Sequence, residues 1–310
     1  MAGRFAPSPT GELHLGNLRT ALVAWLAARS QGLDFIVRME DLDLVTSSPE
    51  HEQRQLDDLA AIGLDWDGPV VRQSERFDRY RAAIETLRES GHVYPCYCTR
   101  REIRAEIEAA AQAPHVHLPD GAYPGTCREL SADEMAHREA TGRRPAWRLR
   151  TGSQTIELDD RIAGRFAGAV DDVVLARADG VPAYNLAVVV DDAAQGVSQV
   201  VRGDDLLSST PRQILLQRLL DLATPSYWHV PLVLGDDGQR LAKRHGAVTL
   251  SALRDEGWSA VDVVGALARS LGLAGPGERV AVAALLDRFD PARVPTAPVV
   301  WSELRARGHS

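Results

Sequence analysis

Residues 4–17 read RFAPSPTGELHLGN, and their prolines and glycine predict a loop between two regular elements. Before this loop, residues 2–6 predict a short strand. After it, the apolar positions of residues 15–28 recur with helical spacing, and residues 35–39 predict a buried strand. The order strand, loop, helix, strand is typical of a parallel α/β unit, so we expect an α/β fold.

The start of the predicted helix offers a place for an anion, because its first N–H groups and its dipole both favour negative charge. His14 stands at this end and can donate to a phosphate oxygen. Gly16 has no side chain, so a flat base can approach the backbone there. Taken alone, the same residues also fit a capped helix that follows a proline-rich loop.

A basic loop lies much later in the chain. Residues 239–246 read QRLAKRHG and follow a turn rich in glycine and aspartate. A cationic loop next to glycine can close over a triphosphate and neutralise the charge that develops on departing pyrophosphate. Taken alone, a solvated basic loop is the simpler interpretation.

Further strands are predicted between these two segments. Residues 187–190 and 197–201 are β-branched runs, and residues 230–234 form another apolar run before the basic loop. These runs indicate that the α/β pattern resumes in the second half of the chain.

Composition limits the class of protein. The 310 residues are 45% hydrophobic and 25% charged, which is ordinary for a globular protein of about two domains. There is no N-terminal secretory signal and no apolar run of about 18 residues, so we expect a cytoplasmic protein without membrane spans. The net charge of −8 does not indicate a nucleic-acid partner. A local basic patch remains available from Arg100, Arg101, Arg143, Arg144, Arg148 and Arg150.

The cysteines predict a metal site rather than disulfides. All three, Cys96, Cys98 and Cys127, fall within one short segment, and their number is odd. Three thiolates with one further ligand would form a closed structural zinc site, for which chemistry alone favours a histidine. Three buried free cysteines are the alternative. The candidates for the fourth ligand are His115, His117, Asp120 and Tyr123.

Taken together, the two loops resemble the signature motifs of the class I aminoacyl-tRNA synthetases. His14-Leu15-Gly16-Asn17 is similar to the HIGH motif in its glutamyl form, and residues 240–244 are similar to KMSKS, with Lys243 at the second lysine. Residues 38–43 and 202–207 also match, in order, at the family spacing. Arg240 and Ala242 depart from KMSKS, and the loss of a lysine and a hydroxyl there predicts slower activation.

The resemblance assigns site residues. It implies that His14 and Lys243 are catalytic and that these two residues, Gly16 and Asn17 bind ATP. Residues similar to those that bind glutamate in the related synthetases are Arg4, Phe5, Ala6, Pro7, Ser8, Glu40, Tyr184 and Arg202. An amino acid with two carboxylates and one ammonium needs such a mixture of arginine and carboxylate.

The cysteine segment narrows the resemblance to one family. Glutamyl-Q tRNA(Asp) synthetases carry Cys-x-Cys followed by Tyr-x-x-x-Cys, and residues 123–127 match that spacing. The resemblance therefore implies zinc bound by Cys96, Cys98, Tyr123 and Cys127, with His117 as the second choice for the fourth ligand.

The expected fold is a Rossmann-like class I synthetase catalytic domain with a zinc-containing insertion and a short helical C-terminal region. Residues 1–94 and 181–235 form the two halves of the Rossmann-like domain, and residues 95–180 form an inserted acceptor-binding module. Residues 236–310 carry the KMSKS-like loop and the helical region. No anticodon-binding domain is expected.

The resemblance implies ATP-dependent activation of L-glutamate to glutamyl-adenylate without tRNA, with Mg²⁺ accompanying ATP. Glutamate would then pass to the queuosine base of tRNA(Asp). We expect a monomer. The alternatives are a truncated glutamyl-tRNA synthetase, a glutamate ligase acting on another acceptor, and a non-catalytic tRNA-binding paralogue.

Overall fold

A computed structural model of the chain describes residues 1–111, 123–152, 154–241, 245–246 and 248–306. Its strands are β1 (Ala2–Phe5), β2 (Asp34–Met39), β3 (Val71–Arg72), β4 (Val93–Cys96), β5 (Ala146–Leu149), β6 (Thr155–Asp160), β7 (Gly164–Ala169), β8 (Val174–Ala176), β9 (Val197–Gly203), β10 (Ser226–Val230), β11 (Val233–Leu234) and β12 (Val299–Val300). Its helices are α1 (Leu15–Arg29), α2 (Pro49–Ala61), α3 (Phe77–Glu89), α4 (Arg100–Ala111), α5 (Ala132–Ala140), α6 (Tyr184–Ala194), α7 (Thr210–Leu219), α8 (Leu250–Asp255), α9 (Ala260–Ser270) and α10 (Trp301–Ala306).

Strands from both halves of the chain form one parallel sheet in the order β10-β9-β1-β2-β3. The chain first builds the sheet outward from β1 to β3 and later adds β9 and β10 on the other side of β1. The strand order therefore reverses between β1 and β9. Loops diverge at such a reversal and leave a crevice at the carboxyl ends of the strands, where ligands bind. The expected parallel α/β fold is confirmed.

Helix α1 is buried on almost every side. Eleven of its 15 residues are buried, and it packs against the parallel sheet and against α9. A helix that is apolar all round belongs in an interior. The helix lies so close to β1 that a methyl group at Gly3 would stand 2.8 Å from Cβ of Ala28. This packing fixes the N-terminus of α1, with His14, at the carboxyl edge of the sheet.

The prediction of a strand at residues 187–190 is wrong, because these residues lie inside α6. Valine runs favour strands, but burial in tertiary structure overrides so weak a preference. Helix α6 begins just after Pro182, and the helical repeat brings Tyr184 and Asp192 to the same side. Both residues are therefore available to the crevice at the edge of the sheet.

The strand predicted at residues 230–234 is interrupted. Strand β10 ends at Val230, and β11 begins only at Val233. Pro231 lies between them and has no N–H for a strand ladder, which explains the break. Strand β11 then pairs with β12 from the end of the described chain.

Between α3 and α6 the chain forms a separate group of elements. Strands β4, β5 and β8 make an antiparallel sheet, and β6 and β7 make a hairpin. Helices α8, α9 and α10 follow the basic loop. The domain boundaries given above stay predictions. Within the described residues, no helix has the length and apolar character needed to cross a membrane.

Candidate active site

A cavity of about 340 Å³ opens at the carboxyl edge of the parallel sheet, at the reversal between β1 and β9. Its walls come from the loop after β1, the start of α1, the end of β2 and the end of β9. It therefore lies where the fold predicts a ligand. The sequence-predicted residues that line it are Arg4, Phe5, Ala6, Pro7, Ser8, His14, Gly16, Asn17, Glu40, Tyr184 and Arg202.

The loop after β1 is held by backbone contacts. The carbonyl of Pro7 accepts a hydrogen bond from the N–H of Glu40 at 2.9 Å. The buried side chain of Gln55 donates to the carbonyls of Ser8 and Gly11, at 3.0 and 2.7 Å. These bonds replace the sheet and helix partners that a proline-rich loop lacks, so this wall of the cavity is rigid.

Two arginines and two carboxylates meet on one side of the cavity. Arg4 contacts Asp192 at 3.3 Å, and Arg38 contacts Asp192 at 2.8 Å and Glu40 at 3.3 Å. Burial raises the pKa of Glu40, although Arg38 and Arg4 oppose this effect. Burial acts in the same direction on Asp192, but here the two arginines prevail and its pKa is lowered. Asp192 therefore neutralises Arg4, and Glu40 is the carboxylate that a ligand ammonium would help to ionise.

Three residues of this charged cluster, Arg38, Asp191 and Asp192, have no role predicted from the sequence. Asp191 accepts hydrogen bonds from two side chains outside the cavity, from Arg76 at 2.6 Å and from Tyr80 at 2.7 Å. Arg38 belongs to a stretch that matches the family, but a charge inside a strand does not reveal its partners. The two aspartates directly follow residues 187–190, for which the pattern predicts a strand, so the sequence does not show that Asp192 and Tyr184 share one side of a helix.

Among the arginines that line this cavity, Arg202 alone lacks a carboxylate partner in the described part of the chain. It is only 4% exposed. Its donors reach His229 at 3.0 Å, Gln213 at 2.8 Å, Thr210 at 2.8 Å and Tyr184 at 3.4 Å, with a backbone carbonyl at 3.5 Å. All of these acceptors are uncharged. Burial of an unpaired charge is costly, so the arrangement suits a ligand that brings its own carboxylate.

His14 caps α1 at the opposite end of the cavity. The ring Nδ1 of His14 accepts a hydrogen bond from the backbone N–H of Asn17 at 3.3 Å. The backbone N–H of His14 donates to the side-chain amide oxygen of Asn17 at 3.1 Å. Burial, aided by Arg240 and opposed by Asp205, lowers the pKa of His14 to about 4. The ring is therefore neutral at pH 7, and its proton lies on Nε2. That N–H is available as a donor to a ligand oxygen.

The basic loop approaches the same end of the cavity. Arg240 lines the cavity and pairs with Asp205 at 2.8 Å. A side chain at Gly16 would begin 3.0 Å from the His14 ring, so glycine keeps this end open. Lys243, the predicted catalytic lysine, lies outside the described residues, as does Ala242.

Three thiols and a phenol converge next to the antiparallel sheet. The Sγ atoms of Cys96, Cys98 and Cys127 lie within 4.8 Å of one another. The Oη atom of Tyr123 lies 3.3 Å from the sulfur of Cys96 and 3.7 Å from that of Cys98. Four such donors around one point suit a tetrahedral zinc ion. The other candidates for the fourth ligand, His115, His117 and Asp120, lie outside the described residues.

The parallel sheet and its cavity are those of a class I synthetase. The family model described as "tRNA synthetases class I (E and Q), catalytic domain" matches residues 1–284. A glutamate tRNA ligase from Elizabethkingia meningosepticum, solved in complex with its amino acid, superposes with a TM-score of 0.83 at 29% identity. The superposition covers 99% of this chain and 68% of that one. The protein is thus of the class I aminoacyl-tRNA synthetase type.

Sequence relatives define the family more closely. A glutamyl-Q tRNA(Asp) synthetase from Nocardia farcinica is 60% identical, over 97% of this chain and 93% of the relative. One from Symbiobacterium thermophilum is 51% identical, over 96% of this chain and 95% of the relative. The chain belongs to the glutamyl-Q tRNA(Asp) synthetase family.

Proposed function

We propose that the protein activates L-glutamate with ATP in the absence of tRNA, and then transfers glutamate to the queuosine base of tRNA(Asp). The protein is a ligase of the aminoacyl-tRNA synthetase class, and its relatives support glutamate as the amino acid and tRNA as the acceptor. The proposal adds the adenylate, its independence from tRNA and the modified base.

The observation that carries the proposal is the charge pattern of the cavity. Arg202 is buried without a carboxylate among its described partners, whereas Arg4 is already neutralised by Asp192. Glu40 lines the same cavity, and its pKa is raised by burial. An amino acid with a second carboxylate supplies an anion for Arg202 and an ammonium for Glu40. Glutamine has no second carboxylate, so Arg202 would stay without an anionic partner, and this disfavours glutamine as a substrate.

Activation would begin with an attack by an α-carboxylate oxygen of glutamate on the α-phosphorus of ATP. A carboxylate O–P bond forms, and the bond to the β-phosphate breaks to release pyrophosphate. The neutral His14 ring would donate from Nε2 to a phosphate oxygen, and Lys243 would neutralise the phosphates from the basic loop. Mg²⁺ would enter with ATP. Catalysis is then positioning and charge stabilisation, and no protein nucleophile is needed.

Transfer requires a hydroxyl of the acceptor to reach the glutamyl carbonyl, with AMP as the leaving group. A second cavity of about 700 Å³ shares Ser8, Glu40 and Tyr184 with the first. Its lining includes three arginines that can contact phosphates and three carboxylates that oppose them: Arg100, Arg148 and Arg177, with Glu40, Asp43 and Asp179. This arrangement supports an approach of the nucleoside from the side of the inserted module.

We propose that Cys96, Cys98, Tyr123 and Cys127 bind one structural zinc ion. The convergence of their donor atoms supports the fit. The ion would cross-link β4 to the segment after α4 and has no open position for substrate. It would supply stability to the module rather than chemistry.

The test is glutamate-dependent exchange of pyrophosphate into ATP by the pure protein without tRNA. We expect exchange with glutamate and little with aspartate or glutamine. Glutamate transfer is then compared on tRNA(Asp) with queuosine and on the same tRNA without it. Exchange that appears only after bulk tRNA is added would instead support a truncated glutamyl-tRNA synthetase. Equal transfer to both tRNA preparations would rule out the modified base as the acceptor.

A further inference from the structure

Arg202 is held by a neighbour on the adjacent strand. In the parallel pairing of β9 with β10, Arg202 stands opposite His229. The Nε–H of Arg202 donates to Nε2 of His229 at 3.0 Å. Both side chains are at least 96% buried. Together with the bonds to Gln213 and Thr210, this contact holds the guanidinium in one plane.

The contact requires one tautomer of His229. Arginine offers donors only, so Nε2 of His229 must be the acceptor, and the ring proton must lie on Nδ1. Burial lowers the pKa of His229, which keeps the ring neutral. The Nδ1 atom faces a carboxylate oxygen of Asp160 at 2.5 Å, which accepts that proton in a hydrogen bond.

Asp160 is itself fixed at the end of the β6–β7 hairpin. Its second oxygen accepts the N–H groups of Ile162 at 3.0 Å, Ala163 at 2.8 Å and His229 at 3.1 Å. Burial would raise the pKa of Asp160, but the hydrogen bonds from His229 and from these N–H groups lower it. The carboxylate therefore stays ionised, and its orientation is determined by three backbone donors.

We propose that Asp160 and His229 are positioning residues that hold Arg202 in the orientation needed to bind a carboxylate of glutamate. Asp160 selects the tautomer of His229, and His229 then accepts from Arg202. The hairpin thereby becomes part of the amino-acid pocket although it does not line it. This inference rests on the proposed role of Arg202 in glutamate binding.

The decisive substitution is Asp160→Asn. The three backbone N–H groups keep the amide oxygen on their side, so the NH₂ group must face His229. It then donates to Nδ1 and forces the ring proton onto Nε2, where it opposes the Nε–H of Arg202. We expect the KM for glutamate to rise by at least about tenfold, the loss of one hydrogen bond to a charged group. The KM for ATP should stay within about twofold, because no ATP residue is touched.

A second pair of variants separates positioning from packing. His229→Gln retains an oxygen near the place of Nε2, while His229→Leu retains only bulk. We expect H229Q to bind glutamate better than H229L. Gln has no tautomers, so adding D160N to H229Q should raise the KM for glutamate far less than D160N does alone.

The control is Asp172→Asn, which alters another buried aspartate that contacts Arg128 and Tyr94 but not Arg202. It should lower thermal stability and leave the KM for glutamate unchanged. In ¹⁵N spectra of the histidine ring, the unsubstituted protein should carry its proton on Nδ1 of His229, and D160N on Nε2.

Two results would overturn the inference while the proposed function stands. One is an unchanged KM for glutamate in D160N, and the other is an equal rise of the KM for glutamate in H229Q and H229L. Absence of glutamate-dependent exchange in the unsubstituted protein would instead contradict the proposed function and this inference with it.

Discussion

Individual residues in the pocket differ in how their charges are balanced. Arg4 and Arg202 are both buried and both line the same cavity. Arg4 shares Asp192 with Arg38, whereas the described partners of Arg202 are uncharged. The sequence predicts both arginines as ligands of glutamate but does not distinguish them, because the aspartate that makes the difference comes from a distant helix.

We expect Arg202→Ala to raise the KM for glutamate by about ten- to a hundredfold, since it removes charge-assisted hydrogen bonds worth about 1.5–3 kcal/mol. ATP binding should be nearly unchanged. Steady-state ATP–pyrophosphate exchange measures both constants. Arg165→Ala, which removes an exposed arginine paired with Glu157, is a surface control and should have no effect. An equal loss of ATP affinity would show that Arg202 serves the nucleotide instead.

His14 predicts a pH dependence of stability. Its pKa falls from 6.5 in the unfolded chain to about 4 in the folded protein, so the unfolded state binds more protons between these values. Stability is therefore complete above pH 6.5 and is lost as the pH falls toward 4, by up to about 3 kcal/mol. His14→Asn keeps an N-cap but does not titrate.

Urea unfolding of the protein and of H14N at several pH values between 4 and 7 measures the effect. The unfolding free energy of the unsubstituted protein should fall relative to that of H14N as the pH is lowered from 7 to 4. A constant difference would mean that His14 keeps its ordinary pKa.

Elements were predicted well where local pattern and burial agree, and poorly where they conflict. Helix α1 begins at Leu15 as its loop and spacing indicate, because its apolar residues match its buried site. Residues 187–190 are also apolar but include three β-branched valines, and they form a helix because α6 packs against β9, β8 and the neighbouring helices. The supports of the pocket, Asp160 and Asp192, could not be predicted, because each acts on a residue far away in the chain.

We expect the folding of the inserted module to depend on zinc. We expect one zinc ion per chain by metal analysis, and a marked loss of zinc affinity in Tyr123→Phe, which removes the phenol oxygen but keeps the ring. His117→Ala is the matched test of the other candidate ligand and should retain zinc. Chelation should unfold the segment that carries the four ligands and leave glutamate-dependent exchange largely intact, because Asp160 lies in the β6–β7 hairpin outside that segment. Retention of zinc by Y123F together with its loss in H117A would reverse the ligand assignment.

For the whole molecule, the net charge of −8 means that tRNA must be recognised by a local surface rather than by overall attraction. The second cavity offers a candidate for such a surface, because Arg177 lines it with a side chain that is about half exposed, although it is paired with Asp179. We expect Arg177→Ala to slow glutamate transfer to tRNA by several-fold and to weaken its dependence on salt by about one phosphate contact. Exchange without tRNA should be unchanged, because the first cavity does not include Arg177. Arg165→Ala is again the control, an exposed arginine that lines neither cavity. If R177A and R165A slow transfer equally, the acceptor does not approach through the second cavity, and the route must be sought on another face of the inserted module.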